Sequence, residues 1–214
     1  YLHAKAKLLT SNPASELDTP KLRKELPKFL TLEESKRLLA ITAESNEKFA
    51  HRDYCMLTFC LNCGLRVSEL VGINMNHIQD DRLTVLGKGN KERVVYLNNA
   101  CLKAYHNYIE LRNSLGVKEP RALFISRNGT RITPRSVQLI VKKFITAAGL
   151  DPDKYSTHKL RHTAATLMYK YGNVDVRALQ EILGHENLNT TQIYTHIDNE
   201  QLREAANKNP LADL

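Results

Sequence analysis

Ser156-Thr157-His158-Lys159-Leu160-Arg161-His162-Thr163-Ala164-Ala165-Thr166-Leu167-Met168-Tyr169 is the stretch from which the rest of the chain is read. Leu160, Ala164, Leu167, Met168 and Tyr171 recur at i, i+4, i+7, i+8 and i+11, which predicts a helix over 158–171 with one core-facing stripe. His158 and Arg161, three positions apart, fall on a different face. Ser156 and Thr157 precede them as N-caps, so this end offers backbone N–H groups and the positive end of a helix dipole. Such an end is suited to holding a phosphate. The plainer alternative is a capped helix with a solvated arginine.

Working outward, Leu183-Gly184-His185 and Thr190-Thr191-Gln192-Ile193-Tyr194-Thr195-His196 follow downstream. Tyr194 reads either as a buried aromatic or as a nucleophile. A free phenol titrates near about 10, so it attacks poorly unless neighbouring cations favour its ionised form. Upstream, Gly64-Leu65-Arg66 precedes Glu69, and an ordinary Arg66–Glu69 salt bridge is the bland reading. Yet a guanidinium forks onto phosphate oxygens in a way lysine does not. Two such forks, from Arg66 and Arg161, match the two non-bridging oxygens of a phosphodiester. Lys88 sits in Gly87-Lys88-Gly89-Asn90-Lys91-Glu92, a loop without the spacing of a nucleotide-binding GxxxxGK[ST] motif. An ATP site is rejected, whereas a lysine on a hairpin tip can donate a proton to a leaving oxygen. A phenol with several cations suggests an enzyme that cuts and rejoins DNA without a metal.

Bulk properties agree. The 214 residues suffice for one good-sized core, and 42% apolar with 25% charged residues is ordinary for a globular protein. The net charge of +8 and pI near 9.3 favour polyanionic partners. No window is apolar and long enough to span a bilayer, and no secretion signal is evident. Because the chain opens at Tyr1, a fragment or processed product is expected. The four cysteines, Cys55, Cys60, Cys63 and Cys101, make no disulfide framework. Cys60 and Cys63 have CxxC spacing, but no second Cys or His pair completes a zinc site. Core packing in a reducing, intracellular compartment is expected instead.

Punctuation along the chain yields an element order. Residues 1–9 read as the tail of a helix and 10–28 as a linker broken by Pro13, Pro20 and Pro27. Thr31-Leu32-Glu33-Glu34 is a capping-box pattern opening a helix to about residue 44. A second helix over 50–63 stops at Gly64, and a short one covers 67–71. Residues 83–86 and 93–97 predict a hairpin around Lys88, and 123–125 with 131–132 flank a second turn at Asn128-Gly129. Helices are expected near 99–115, 134–148, 158–171, 175–183, 189–195 and 198–208. The fold class is mainly α with a small antiparallel β-sheet (α+β). Arg131, Arg135, Gln138, Lys142 and Lys143 cluster around the helix opened by Thr133-Pro134. They read either as a solvated face or as DNA contacts, arginine and glutamine to base edges and lysine to phosphates.

The ordered set Arg66, Lys88, His158-x-x-Arg161, His185, Tyr194 resembles the catalytic domain of tyrosine recombinases, the integrase family. The stretches GLRVSELVGI, GKGNKERVVYL, STHKLRHTAATLMY and LQEILGHENLNTTQIYTHI look most like its Xer-type branch, which resolves chromosome or plasmid multimers. The resemblance implies the catalytic-domain fold of DNA breaking-rejoining enzymes over residues 22–208. Residues 1–21 would be the end of an absent N-terminal helical domain plus linker, and 209–214 a tail. It implies that Tyr194 attacks the scissile phosphate to form a 3′-phosphotyrosine, with Arg66 and Arg161 clamping the phosphate. Lys88 would be the general acid, His158 would assist at the tyrosine, His185 would bond a phosphate oxygen, and Glu69 would orient an arginine. No cofactor is implied. The partners implied are double-stranded DNA with a specific site and a homo- or hetero-tetramer joined by exchange of the helix at 198–208, through Leu202, Ala205 and Ala206. Location would be cytoplasmic, on the nucleoid. Type IB topoisomerase-like relaxation and an inactive DNA-binding regulator stay as alternatives, as do housekeeping resolvase and mobile-element integrase.

Overall fold

The computed structural model describes Lys5, Lys7 and residues 29–87, 91–184 and 199–214. The expected helix end at 1–9 (Lys5 and Lys7 aside), the linker at 10–28, the tip residue Lys88 and the helix at 189–195 lie outside the described residues. Elements are numbered among those described.

Helix α2, Ala50–Cys63, forms the central rod, with 12 of its 14 residues buried. Its sequence carries no continuous polar stripe, and a helix apolar on all sides is stable only when surrounded. Helix α1 (Leu32–Ala43), α4 (Asn99–Asn113) and α6 (Thr157–Tyr171) surround it. The capping box at the start of α1 forms as expected: the Glu34 N–H donates to the Thr31 hydroxyl, and the Thr31 N–H donates to the Glu34 carboxylate. All four cysteines are free and buried. Helix α2 ends where expected, at Gly64 in the left-handed region with φ +60°. Helix α3, Val67–Gly72, follows after a two-residue turn.

The sheet has three antiparallel strands in the order β1 (Ile78–Gln79), β2 (Arg82–Leu86) and β3 (Glu92–Tyr96). The two-residue β1 is too short to leave an alternation in the sequence. Register places Leu83 opposite Val95 and Val85 opposite Arg93. Leu83, Val85 and Val95 all face the core, so Arg93 occupies an inward position. The expected second turn forms at Asn128-Gly129, where the Ser126 N–H donates to the Thr130 carbonyl and Ile125 bridges Arg131. The segment before it is also held from elsewhere: the Leu123 N–H donates to the Ile73 carbonyl and the Ile125 N–H to the Tyr108 hydroxyl.

Helix α5, Pro134–Ala147, is opened by Thr133, whose hydroxyl accepts from the Ser136 N–H. In α6, Leu160, Ala164, Leu167 and Met168 are buried as the stripe requires, but Tyr171 is 57% exposed. The stripe ends one turn early because the chain turns at Gly172 and buries Val174 against Met168 instead. Helix α7 (Val176–Leu183) and α8 (Asn199–Asn207) close a smaller apolar cluster containing Ala164, Met168, Ala178, Leu179, Ile182 and Ala205, with Leu202 packed on it.

The C-terminal helix expected to reach a neighbouring protomer is seated on its own chain. The Asn98 amide donates to the Ala206 carbonyl, and the Asn209 amide reaches the Leu61 and Asn62 carbonyls at 3.2 and 3.4 Å. Leu211 is fully buried in the main core. Arg203 pairs with Asp81 at 2.6 Å and lies over the Tyr96 ring. Asn209→Ala strands the last carbonyls of α2 and should destabilise the chain by about 1–3 kcal/mol. Because these bonds are intramolecular, the loss in thermal melting should be independent of protein concentration; a loss confined to high concentration would contradict seating in cis.

Candidate active site

Glu69 stands at the third position of α3, three residues after its N-cap residue Arg66. From there its carboxylate reaches back to accept the Arg66 N–H at 2.8 Å, which anchors a 2%-exposed side chain at a helix N-terminus. Three guanidiniums then gather on it. Arg66 Nη1 donates to Glu69 Oε1 at 2.7 Å. Arg93 Nη1 and Nη2 donate to Oε1 and Oε2 at 2.8 and 3.0 Å, a two-pronged fork. Arg161 Nη1 lies 3.7 Å from Oε2. A buried carboxylate persists in ionised form only with such partners.

The two arginines expected to clamp phosphate are held differently. Arg161, in the second turn of α6, has a 5%-exposed side chain. Its Nη1 donates to the Gly64 carbonyl at 2.6 Å and its Nη2 to the Leu183 carbonyl, so the ends of α2 and α7 fix its plane. Arg66 is 39% exposed and donates through Nη2 to the Gly184 carbonyl at 3.2 Å. Two glycines make this convergence possible. Gly64 has φ +60°, and a Cβ there would stand 2.7 Å from Leu183 Cδ2. Gly184 has φ +62°, and a Cβ there would press on the Arg93 side chain at 3.2–3.3 Å.

Electrostatics follow from burial and crowding. Burial raises the Glu69 carboxyl, but hydrogen bonds from Arg93 and Arg66 with the nearby Arg93 charge outweigh it, and its pKa falls below the ordinary value. Burial lowers Arg161 to about 10, helped by the Arg66 and Arg93 charges and opposed by Glu69. Arg161 stays protonated at neutral pH. Three guanidiniums face one carboxylate, so among the described residues two positive charges in the cluster are uncompensated. A guanidinium has five N–H donors. Beyond the two that Arg161 gives to carbonyls, its remaining donors can serve an anion.

His158 occupies the first turn of α6 and is exposed, with Arg161 one turn on. Ser156 is the N-cap residue, yet its side chain makes no capping bond. Lys88, His185 and Tyr194 lie outside the described residues. The expected DNA contacts divide. Arg131 is spent on the fold: it donates to Glu119, to the Val71 and Ile73 carbonyls and to Asn74, so the loop after α3 is its partner rather than a solvent face. Lys142 pairs with Asp153 and Lys143 with Glu47. Arg135 and Gln138 are exposed on α5. Arg93 was missed in the sequence. Its one signal was alternation with Val95 and Leu97, which puts a charge on a core-facing register.

Glu69 predicts an acid-sensitive stability term. Its folded pKa lies below the unfolded value near 4.5, so its contribution is complete above that value and is lost as pH falls through the lower folded one. At neutral pH, Glu69→Gln should cost about 3–5 kcal/mol. The gap between wild-type and variant melting temperatures should narrow as the pH falls through the lowered folded value; a gap that stays constant would contradict the assignment. Gly64→Ala should cost at least about 1–2 kcal/mol in urea unfolding, since alanine is strained in the left-handed region. An unchanged midpoint would mean that this turn tolerates a side chain.

The family model described as the phage integrase family matches residues 28–201. A tyrosine recombinase XerC of Caldanaerobacter subterraneus subsp. tengcongensis is 57% identical over 212 residues, 99% of this chain and 59% of that protein. The XerC of Corynebacterium glutamicum is 41% identical, over 94% of this chain and 64% of that protein. The chain thus spans about three-fifths of the length of these relatives. Among solved structures, XerA recombinase aligns with a TM-score of 0.66 at 31% identity, over 84% of this chain and 64% of that one. XerH bound to palindromic difH substrate in a post-cleavage complex aligns at 0.67 and 30%, over 86% and 53%. With its helical frame, its small sheet and its cluster of arginines around Glu69, the chain belongs to the phage integrase family.

Proposed function

We propose that this protein is a site-specific DNA recombinase that cuts and rejoins strands through a covalent 3′-phosphotyrosine, with residues 22–208 as its catalytic domain. The observation that carries the reading is the excess of two positive charges where Arg66, Arg93 and Arg161 meet Glu69. A phosphodiester gains negative charge as it passes to a pentacoordinate transition state, and preorganised donors act most strongly on charge that develops there. The likeness to XerH, solved with its difH substrate before and after cleavage, supports double-stranded DNA as the partner.

In this scheme the Tyr194 oxygen attacks phosphorus, and the bond from phosphorus to the 5′ oxygen breaks. The phenol proton passes to His158 and the leaving oxygen takes a proton from Lys88. Arg66, Arg161 and His185 hold the non-bridging oxygens, and Glu69 orients the arginines. The phosphotyrosine keeps the free energy of the broken bond, so rejoining draws on no nucleotide. Arg135 and Gln138, exposed on α5, are the DNA-facing pair, while Lys142 and Lys143 reach phosphates only by leaving their carboxylate partners. Assembly is a tetramer on DNA, and α8 would have to leave its seat on its own chain to join protomers. Action on the nucleoid in the cytoplasm follows from that substrate.

A nicked suicide duplex carrying the recombination site tests the reading on denaturing gels. A covalent protein–DNA band should form with the wild-type protein and vanish in Tyr194→Phe. Arg161→Gln should slow its formation about 10²–10³-fold, the usual loss of one preorganised donor. Reversible binding without a covalent band would instead make the protein a regulator. Relaxation of a plasmid lacking the site would make it a type IB-like topoisomerase.

A further inference from the structure

Arg93 stands at an inward position of β3, opposite Val85 and two residues before Val95, both of which are buried. An apolar side chain is the ordinary occupant of such a register, because a buried guanidinium must find partners for its donors. Arg93 finds three within the described residues. Nη1 and Nη2 take the two oxygens of Glu69, and Nε donates to the Ile182 carbonyl at 3.0 Å. Its side chain also lies close beside Gly184, whose carbonyl accepts from Arg66. One side chain therefore joins the sheet, α3 and the end of α7. At 14% exposure it is poorly placed to grip DNA itself.

We propose that Arg93 is a positioning residue for DNA cleavage: by gripping both oxygens of Glu69 it keeps that carboxylate from closing onto Arg161, so the donors of Arg161 beyond its two carbonyl bonds stay open to the phosphate. The geometry makes the competition concrete. Glu69 Oε2 accepts from Arg93 and from the Arg66 N–H, and Arg161 waits 3.7 Å away. Without Arg93 that oxygen loses one of its donors with Arg161 only 3.7 Å away, and a tight pair between them would neutralise one of the two phosphate forks. Lysine cannot replace the grip, because one ammonium does not present a planar fork to both oxygens and a third bond to Ile182. The inference rests on the recombinase reading and adds to it a residue that acts through Glu69.

The test uses the full-length protein with Arg93→Gln and Arg93→Lys, in single-turnover cleavage of the nicked suicide duplex and in equilibrium binding to the same DNA. Arg93→Gln should slow adduct formation about ten- to a hundredfold, the scale of a small misplacement of reacting groups, while DNA affinity changes by less than about threefold. The acid limb of its rate–pH profile should move to higher pH, because burial of Glu69 is then less opposed. Arg93→Lys should stay slow, with a smaller shift of that limb, and it serves alone if Arg93→Gln does not fold. Wild-type rate and an unmoved profile in the variants would overturn the role of Arg93 while leaving the recombinase reading intact. A parallel fall of rate and affinity with an unmoved profile would overturn it too, by making Arg93 a DNA contact or a folding residue. A wild-type protein that forms no adduct would overturn the recombinase reading, and this role with it.

Discussion

A carboxylate moved from water into a protein interior loses several kcal/mol of hydration that only nearby positive charge restores. Glu69 is in that position, and the architecture around it follows from the need to supply partners. It sits at the third position of a short helix, where the backbone already presents N–H groups. Three arginines from three separate segments complete its environment. Each in turn needs its own anchor, and the anchors are carbonyls at element ends: Gly64 after α2, Ile182 and Leu183 closing α7, and Gly184 beyond it. Buried charge thus ties together the points at which the helices stop.

This arrangement gives the two glycines a common purpose. Gly64 and Gly184 both take left-handed backbone angles, and each turns a carbonyl toward an arginine. They also admit close neighbours, Leu183 at one and Arg93 at the other. The rigidity needed to hold guanidiniums in place comes from α2, which is enclosed by apolar contacts on nearly every side. The C-terminal tail adds to that frame by binding the last carbonyls of the same helix.

Much of the frame was legible in the residues. Thr31 with Glu34, Thr133 with Pro134, and Gly64 at a helix stop are local signals, and local hydrogen bonds decide them. The inward stripe of α6 was readable up to Met168 and failed at Tyr171, where the turn at Gly172 ends the packing surface. The turn at Asn128-Gly129 was legible as well, but not the partners of Leu123 and Ile125 fifty and seventeen residues distant, Ile73 and Tyr108. Arg66 and Arg161, singled out by type and order, are brought together on Glu69, the partner that the plain salt-bridge reading gave Arg66. Arg131 was assigned to a DNA-facing cluster, whereas its donors close the loop after α3.

By itself the sequence determined which residues are able to carry charge, where helices begin and stop, and which side of each is apolar, since these depend on side-chain chemistry and spacings of a few residues. Only the tertiary structure decided which guanidiniums share a carboxylate, that Arg93 is among them, and that the last helix lies on its own chain. Those outcomes depend on contacts between residues tens of positions apart. Their energies exist only once the core has brought the ends of α2, α3, α7 and β3 to within a few ångströms of one another.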